Sequence, residues 1–219
     1  MKDWLTKKIS GNDIERLCFE NQTSEKEKVL IVHCDDMPFV KYFPNHVKAN
    51  TVQENSVSVL ADEYYYKIYD ESNKYDVVIC TGLLEHVPNP AKTISEIKRV
   101  LKIGGRGVFS VSASFSTHNA PNDFFHFTVF GIKLLFEEGG WQVDRVAPSC
   151  HPFQTIAILL QRICYQTKMS RLFKGFLFFI AKLIKKFDLF IKEDFGDINK
   201  KYKMESSLYS NVQIVAIKK

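Results

Sequence analysis

Long apolar runs are missing from this sequence. The greasiest stretch, Leu172 to Ile191, is interrupted by Lys174, Lys182, Lys185 and Lys186. A spanning helix needs about 20 mostly apolar residues, so no transmembrane segment is expected. The amino-terminal MKDWLTKKISGND contains no apolar h-region, so no secretory signal is read there and a cytoplasmic location is expected. Cysteine is scarce and unpatterned: Cys18, Cys34, Cys80, Cys150 and Cys164 are odd in number and form no CxxC pair. Neither a disulfide framework nor a metal-ligand set is expected from them. Repeats and low-complexity tracts are lacking too. The net charge of +5 is mild, and no concentrated basic face with interleaved aromatics lies near the candidate ligand residues, which argues against nucleic acid as a partner.

What is present is the composition of a folded domain. Hydrophobic residues make up 45% and charged residues 25% of 219, enough to bury a core without cross-links. Short, continuous apolar runs suit buried parallel strands: Lys28–Val32, Val57–Leu60, Asp76–Cys80, Gly107–Val111, Trp141–Val146 and Val212–Ile217, with a weaker one at Val47–Val52. Helical segments lie between them. Pro90 to Leu101 starts with a proline that needs no intrahelical N–H partner and sets Ile94, Ile97 and Leu101 on one face. Lys102 and Gly104–Gly105 are read as its end. Thr128 to Glu138 is a second helix, closed by Gly139–Gly140. Alternating strands and helices predict an α/β fold around a mostly parallel sheet.

His151 to Ile191 breaks the alternation and reads as two apolar helices. Phe173, Phe176, Leu177, Ile180, Leu183, Ile184, Phe187 and Ile191 share one arc of the second. Two uses fit: a face packed on the domain, or a lid or membrane-surface helix at 172–191. The expected organisation is one domain over 1–219, with a core at 28–150, a helical insertion or cap at 151–206 and the last strand at 207–219.

In such sheets ligands bind beyond the carboxyl ends of the strands. The informative residues are therefore His33 to Asp36, Asn50, Ala61–Asp62, Thr81 to His86 and Ser112 to Asp123.

YDVVICTGLLEHVPNPAKTISEIKRVLKIGGRGVFSVS, Tyr75 to Ser112, resembles the fourth-to-fifth-strand region of class I S-adenosyl-L-methionine-dependent methyltransferases of the type 11 family. Ile103 stands where that family usually has proline. HNAPNDFFHFT, His118 to Thr128, is similar to an HxxPxDxxRxT segment of one subgroup, with His126 at the arginine position. The resemblance implies a Rossmann-like, doubly wound, seven-stranded sheet with the helical segment inserted before the last strand. It also implies S-adenosyl-L-methionine as cofactor and a small-molecule acceptor; relatives with this loop suggest a sugar or lipid-linked sugar hydroxyl.

By that resemblance, a glycine-rich turn follows the first strand, an acid on the second meets the ribose, and an Asp after the third faces adenine. Here the turn reads VHCDDMPF, with His33 and Asp35 at glycine positions around Cys34. A side chain there crowds the approach that glycine leaves open. Asn50 takes the place of the ribose acid and keeps an acceptor without charge. Asp62 fits the adenine position. Thr81, Glu85 and His86 follow the fourth strand and are placed beside the donor, although a turn tied by its own polar groups fits Glu85 and His86 too. On the loop after the fifth strand, His118 is the candidate base and Asp123 its orienter. Two functional readings stay open: methyl transfer, and a non-catalytic relative used for binding or scaffolding, which His33, Asp35 and Asn50 favour.

Overall fold

A computed structural model describes residues 4–32, 38–50, 59–184, 186–187 and 208–219. Seven strands form one sheet in the order β3-β2-β1-β4-β5-β7-β6. They are β1 (Val29–Val32), β2 (His46–Asn50), β3 (Val59–Leu60), β4 (Tyr75–Thr81), β5 (Leu101–Ser112), β6 (Trp141–Ser149) and β7 (Asn211–Lys218). The first five run parallel; β7 lies antiparallel between β5 and β6. The expected Rossmann-like, mostly parallel seven-stranded sheet is the observed one.

All four residues of β1 are buried because helices cover both faces of the sheet. Alternation sorts the side chains. Leu30, Val32, Val78, Cys80, Phe109 and Val111 pack on one face under α2 (Pro90–Val100) and α3 (Val129–Glu138), through Ile94, Ile97, Ile132 and Phe136. Val29, Ile31, Val77, Ile79 and Val108 pack on the other, against Leu17 and Cys18 of α1 (Trp4–Glu20) and Phe39 and Phe43 of the turn after β1.

Local chemistry sets the helix ends. Asn89 caps α2, its side chain accepting the Lys92 N–H at 3.2 Å, with Pro90 in the first turn. Thr128 caps α3 by accepting the Gly131 N–H at 3.0 Å. One expectation is corrected here. Gly104–Gly105 do not end α2; the chain enters β5 directly at Leu101, and both glycines fall where the β4–β5 register slips between Tyr75 and Val77. Gly104 adopts φ +77°, as a bulge in one strand needs.

The two expected helices before β7 are α4 (Pro152–Gln166) and α5 (Arg171–Ile184). They cross-pack through Tyr165 and Phe178, 5.7 Å between ring centroids. A small core of Ile9, Cys150, Ala157, Ile158 and Ala181, with Phe115 against it, joins them to α1 and to the chain leaving β5. The apolar arc expected on α5 is not buried as a unit. Phe173, Phe176 and Leu183 are exposed, and Ala181 is the buried residue of this helix.

Candidate functional site at the carboxyl ends of the strands

β1, β2, β3, β4 and β5 all end on the same edge of the sheet, and most of the expected site residues follow them. His33, Cys34 and Asp35 lie outside the described residues, so the turn that departs most from the family pattern contributes nothing to this geometry. A separate cavity of 260 Å³ opens at the opposite edge, where Lys28, Asn45, Val59 and Tyr75 begin the strands. It is remote from the groups that carry chemistry.

Asn50 and Asp62 are linked through Tyr65, a residue the sequence does not single out. The Tyr65 hydroxyl donates to Asn50 Oδ1 at 3.5 Å, and the Tyr65 N–H donates to the Asp62 carbonyl at 3.0 Å. Tyr65 is buried with φ +54°. Asp62 Oδ1 also accepts the Tyr66 N–H at 2.7 Å, so this carboxylate holds the turn that follows β3. Beyond Thr81, Gly82 has φ +67°, and no atom lies within 4 Å of where its Cβ would stand. The backbone at the end of β4 therefore leaves room beside Gly82 for a close approach.

A second group converges at the ends of β4 and β5. Glu85 is buried in the turn Leu84–His86; its Oε1 accepts the Ser112 N–H at 3.1 Å and Oγ–H at 2.7 Å. Its carbonyl accepts the N–H groups of Phe124 and Phe125. His86 Nδ1 bonds the Asn122 carbonyl. Glu85 and His86 thus tie the 118–127 loop to the sheet, as a turn held by its own polar groups would.

On that loop the Asp123 side chain is 4% exposed and lies between two imidazoles, His118 Nδ1 at 3.6 Å and His126 Nε2 at 3.5 Å from Oδ2. Oδ2 accepts the His118 backbone N–H at 2.9 Å. Asp123 Oδ1 and Glu85 Oε2 are buried with no hydrogen-bond partner among the described residues. The rings of His86 and His118 meet edge to face at 4.7 Å. Burial pushes the His118 imidazole below its ordinary value; His86 adds to the effect, and Asp123 and Glu85 oppose it. A neutral imidazole with a free electron pair is what a general base needs. Two overlapping sets, Glu85–His86–His118 and His118–Asp123–His126, hold their ligand atoms within 4.8 Å and could take a divalent cation.

Arg162 of α4 supports the loop from outside. Its Nε donates to Ser116 Oγ at 2.9 Å and its guanidinium lies over the Phe115 ring at 4.9 Å. Tyr65 and Arg162 carry no local signal in the sequence, whereas Ser112 opens the expected segment after β5 and only its bond to Glu85 is not legible there.

Comparisons with known proteins concern the sheet that carries this site. A family model described as a methyltransferase domain matches residues 31–109. A ubiquinone biosynthesis O-methyltransferase of Saccharophagus degradans is 33% identical over 92 residues, 42% of this chain and 35% of the relative, so the chain spans about a third of its length. The [4+2]-cyclase SpnF superposes with a TM-score of 0.58 at 12% identity, over 94% of this chain and 80% of its own. A geranyl diphosphate C-methyltransferase from Streptomyces coelicolor, solved with Mg2+, geranyl diphosphate and S-adenosylhomocysteine, gives 0.58 at 9% identity, over 95% and 79%. At such identities the two structures establish a common fold.

Proposed function

We propose, from the premise that the chain belongs through residues 31–109 to the class I S-adenosylmethionine-dependent methyltransferases of the type 11 family, that it transfers a methyl group to a hydroxyl of a small-molecule acceptor. The fold by itself does not decide this, since a cyclase shares it. The observation that carries the reading is the placement of a half-buried histidine, its imidazole pushed below the ordinary value by desolvation, beside the buried Asp123 carboxylate on the edge of the sheet where the strands leading to Asn50 and Asp62 also end.

S-adenosyl-L-methionine, when bound, supplies an electrophilic methyl group. Asn50 and Asp62 would accept hydrogen bonds from its ribose and adenine, and Thr81, at the end of β4 beside Gly82, would lie next to it. By their place in the sequence after β1, His33, Cys34 and Asp35 would meet its amino-acid end. His118 takes the proton from the acceptor hydroxyl, and Asp123 orients the imidazole and balances the charge it gains. Glu85 and His86 act on the donor side by positioning the loop that carries both. Most of the rate then comes from holding the acceptor oxygen in line with the methyl group.

The acceptor class that suits the site is a sugar or lipid-linked sugar. Phe124 and Phe125 are exposed on the loop beside His118 and would meet an apolar tail, and an amphiphilic acceptor of this kind is encountered at a bilayer surface.

Calorimetric titration with S-adenosylhomocysteine tests the reading, with micromolar binding expected. Absence of heat and of any thermal shift at millimolar ligand would reject it in favour of the second reading, a binding or scaffolding relative without catalysis. The side chains at His33 and Asp35, where the family has glycine, support that alternative.

A further inference from the structure

The charge of this chain is segregated. Residues 152–187 contain seven of its 30 basic residues, Arg162, Lys168, Arg171, Lys174, Lys182, Lys185 and Lys186, and none of its 25 acidic ones. The net charge of +5 therefore splits into +7 for residues 152–187, the α4–α5 hairpin and the three residues after it, and −2 for everything else. The same hairpin turns apolar side chains outward. Leu172 is 89% exposed, Phe176 56% and Phe179 59%, with Phe173 and Leu183 beside them. At 3.6 residues per turn these five fall within an arc of ~120° on α5. Ala181, which anchors α5 to the body, lies on the far side, and Arg171 and Lys182 border the arc. On α4, Ile156 and Ile163 are exposed two turns apart.

We infer that the α4–α5 hairpin is a docking surface for an anionic lipid bilayer, with α5 lying in the headgroup plane and its phenylalanines inserted. An apolar stripe bordered by cations is the pattern of a helix that binds a membrane interface. The stripe alone would suit a second copy of the chain as well. The charge does not, because two such faces brought together would set +7 against +7. Spanning is excluded by size: α5 has 14 residues, ~21 Å of helix against a ~30 Å hydrocarbon core, and no helix among the described residues is long and apolar enough to cross. The surface is joined to the proposed acceptor site, since Arg162 of α4 holds Ser116 and Phe115 directly before His118. The inference stands on the hairpin's own exposure and charge and does not depend on methyl transfer.

Co-sedimentation of the full chain with two kinds of vesicle tests it: phosphatidylcholine alone, and phosphatidylcholine with about a third phosphatidylglycerol. Binding is expected to the anionic vesicles and to be released by salt. It should fall about tenfold in Phe176→Ser/Phe179→Ser, by loss of inserted area, and again in Lys174→Glu/Lys186→Glu, by loss of charge. No binding to either vesicle, or equal binding by the wild type and the serine variant, would overturn it. A dimer in light scattering that the serine variant abolishes, without vesicle binding, would assign the face to a second copy. S-adenosylhomocysteine titration of the same variants keeps the two proposals apart, because the donor site should be unchanged in all of them.

Discussion

Glu85 and Ser112 are joined twice, the buried carboxylate accepting both the backbone N–H and the hydroxyl of the residue that ends β5. This pair fixes the exit of β5 relative to the turn after β4, and so sets the origin of the loop that carries His118 and Asp123. Removing the carboxylate leaves two buried donors without an acceptor. Hydrogen bonds to a charged group contribute about 1.5–3 kcal/mol. Glu85→Ala is accordingly expected to lower unfolding free energy by about 2 kcal/mol in urea denaturation. A change within experimental error would mean that Ser112 finds another acceptor and that the loop is anchored elsewhere.

Asp62 serves the turn after β3 and, in the proposed function, the donor. The two roles separate by substitution. Asp62→Asn keeps an oxygen for the Tyr66 N–H, whereas Asp62→Ala removes it. Alanine should cost about 1 kcal/mol of stability, and asparagine much less. S-adenosylhomocysteine affinity should fall in both, by about 1–3 kcal/mol for alanine. Unchanged affinity in both variants would confine Asp62 to the turn.

The strands and the Pro90 helix were legible because their burial is local in sequence: a parallel strand covered on both faces must be a continuous apolar run, as VLIV and DVVIC are. The α5 arc was legible as a pattern but not as a contact, since periodicity shows which side chains share a face and not what covers it. Gly104–Gly105 misled for a related reason. Paired glycines after an amphipathic run look like a helix end, and only strand pairing reveals that β5 has already begun. Among site residues, Asn50, Asp62, Glu85 and His118 could be placed by following each strand to its end. Tyr65 and Arg162 could not, nor could the bond of Ser112 to Glu85, because these contacts join segments that only the fold brings together.

Gly107 offers a stability test of that strand. A Cβ there would overlap the ring of Phe109, which is fully buried and packed edge-on against Phe136 and Trp141, with centroids 4.7 and 5.9 Å away. The cluster has no room to yield without displacing α3. Gly107→Ala should destabilise by about 1–3 kcal/mol, the usual result of overpacking. A melting temperature equal to that of the wild type would show the aromatic cluster to be more yielding than its packing indicates.

Arg162 offers a test of the loop's outer support. Lysine at this position keeps the charge but loses the planar fork that bonds Ser116 and stacks on Phe115. Arg162→Lys should cost about 1 kcal/mol and speed hydrogen exchange at residues 115–118 more than elsewhere. Uniform exchange across the chain would show the contact to be passive.

His118 links stability to chemistry through its own burial. Its imidazole is held below the ordinary value of 6.5, so over the window beneath 6.5 the unfolded chain binds a proton that the folded chain refuses. The unfolded state then carries more protons, and stability rises with pH. The contribution is complete above 6.5 and is lost as pH falls from there toward the folded value. Melting temperature should therefore drop on acidification through this window, and His118→Gln should flatten the drop. The same depression keeps a neutral base available at neutral pH. Methyl transfer to a hydroxyl should decline along the same acid limb, and His118→Gln should lower kcat by about 10²–10⁴-fold while S-adenosylhomocysteine affinity is retained. If stability loses its pH slope in the variant but turnover does not change, His118 is a buried structural imidazole, and the proton must leave the acceptor by another route.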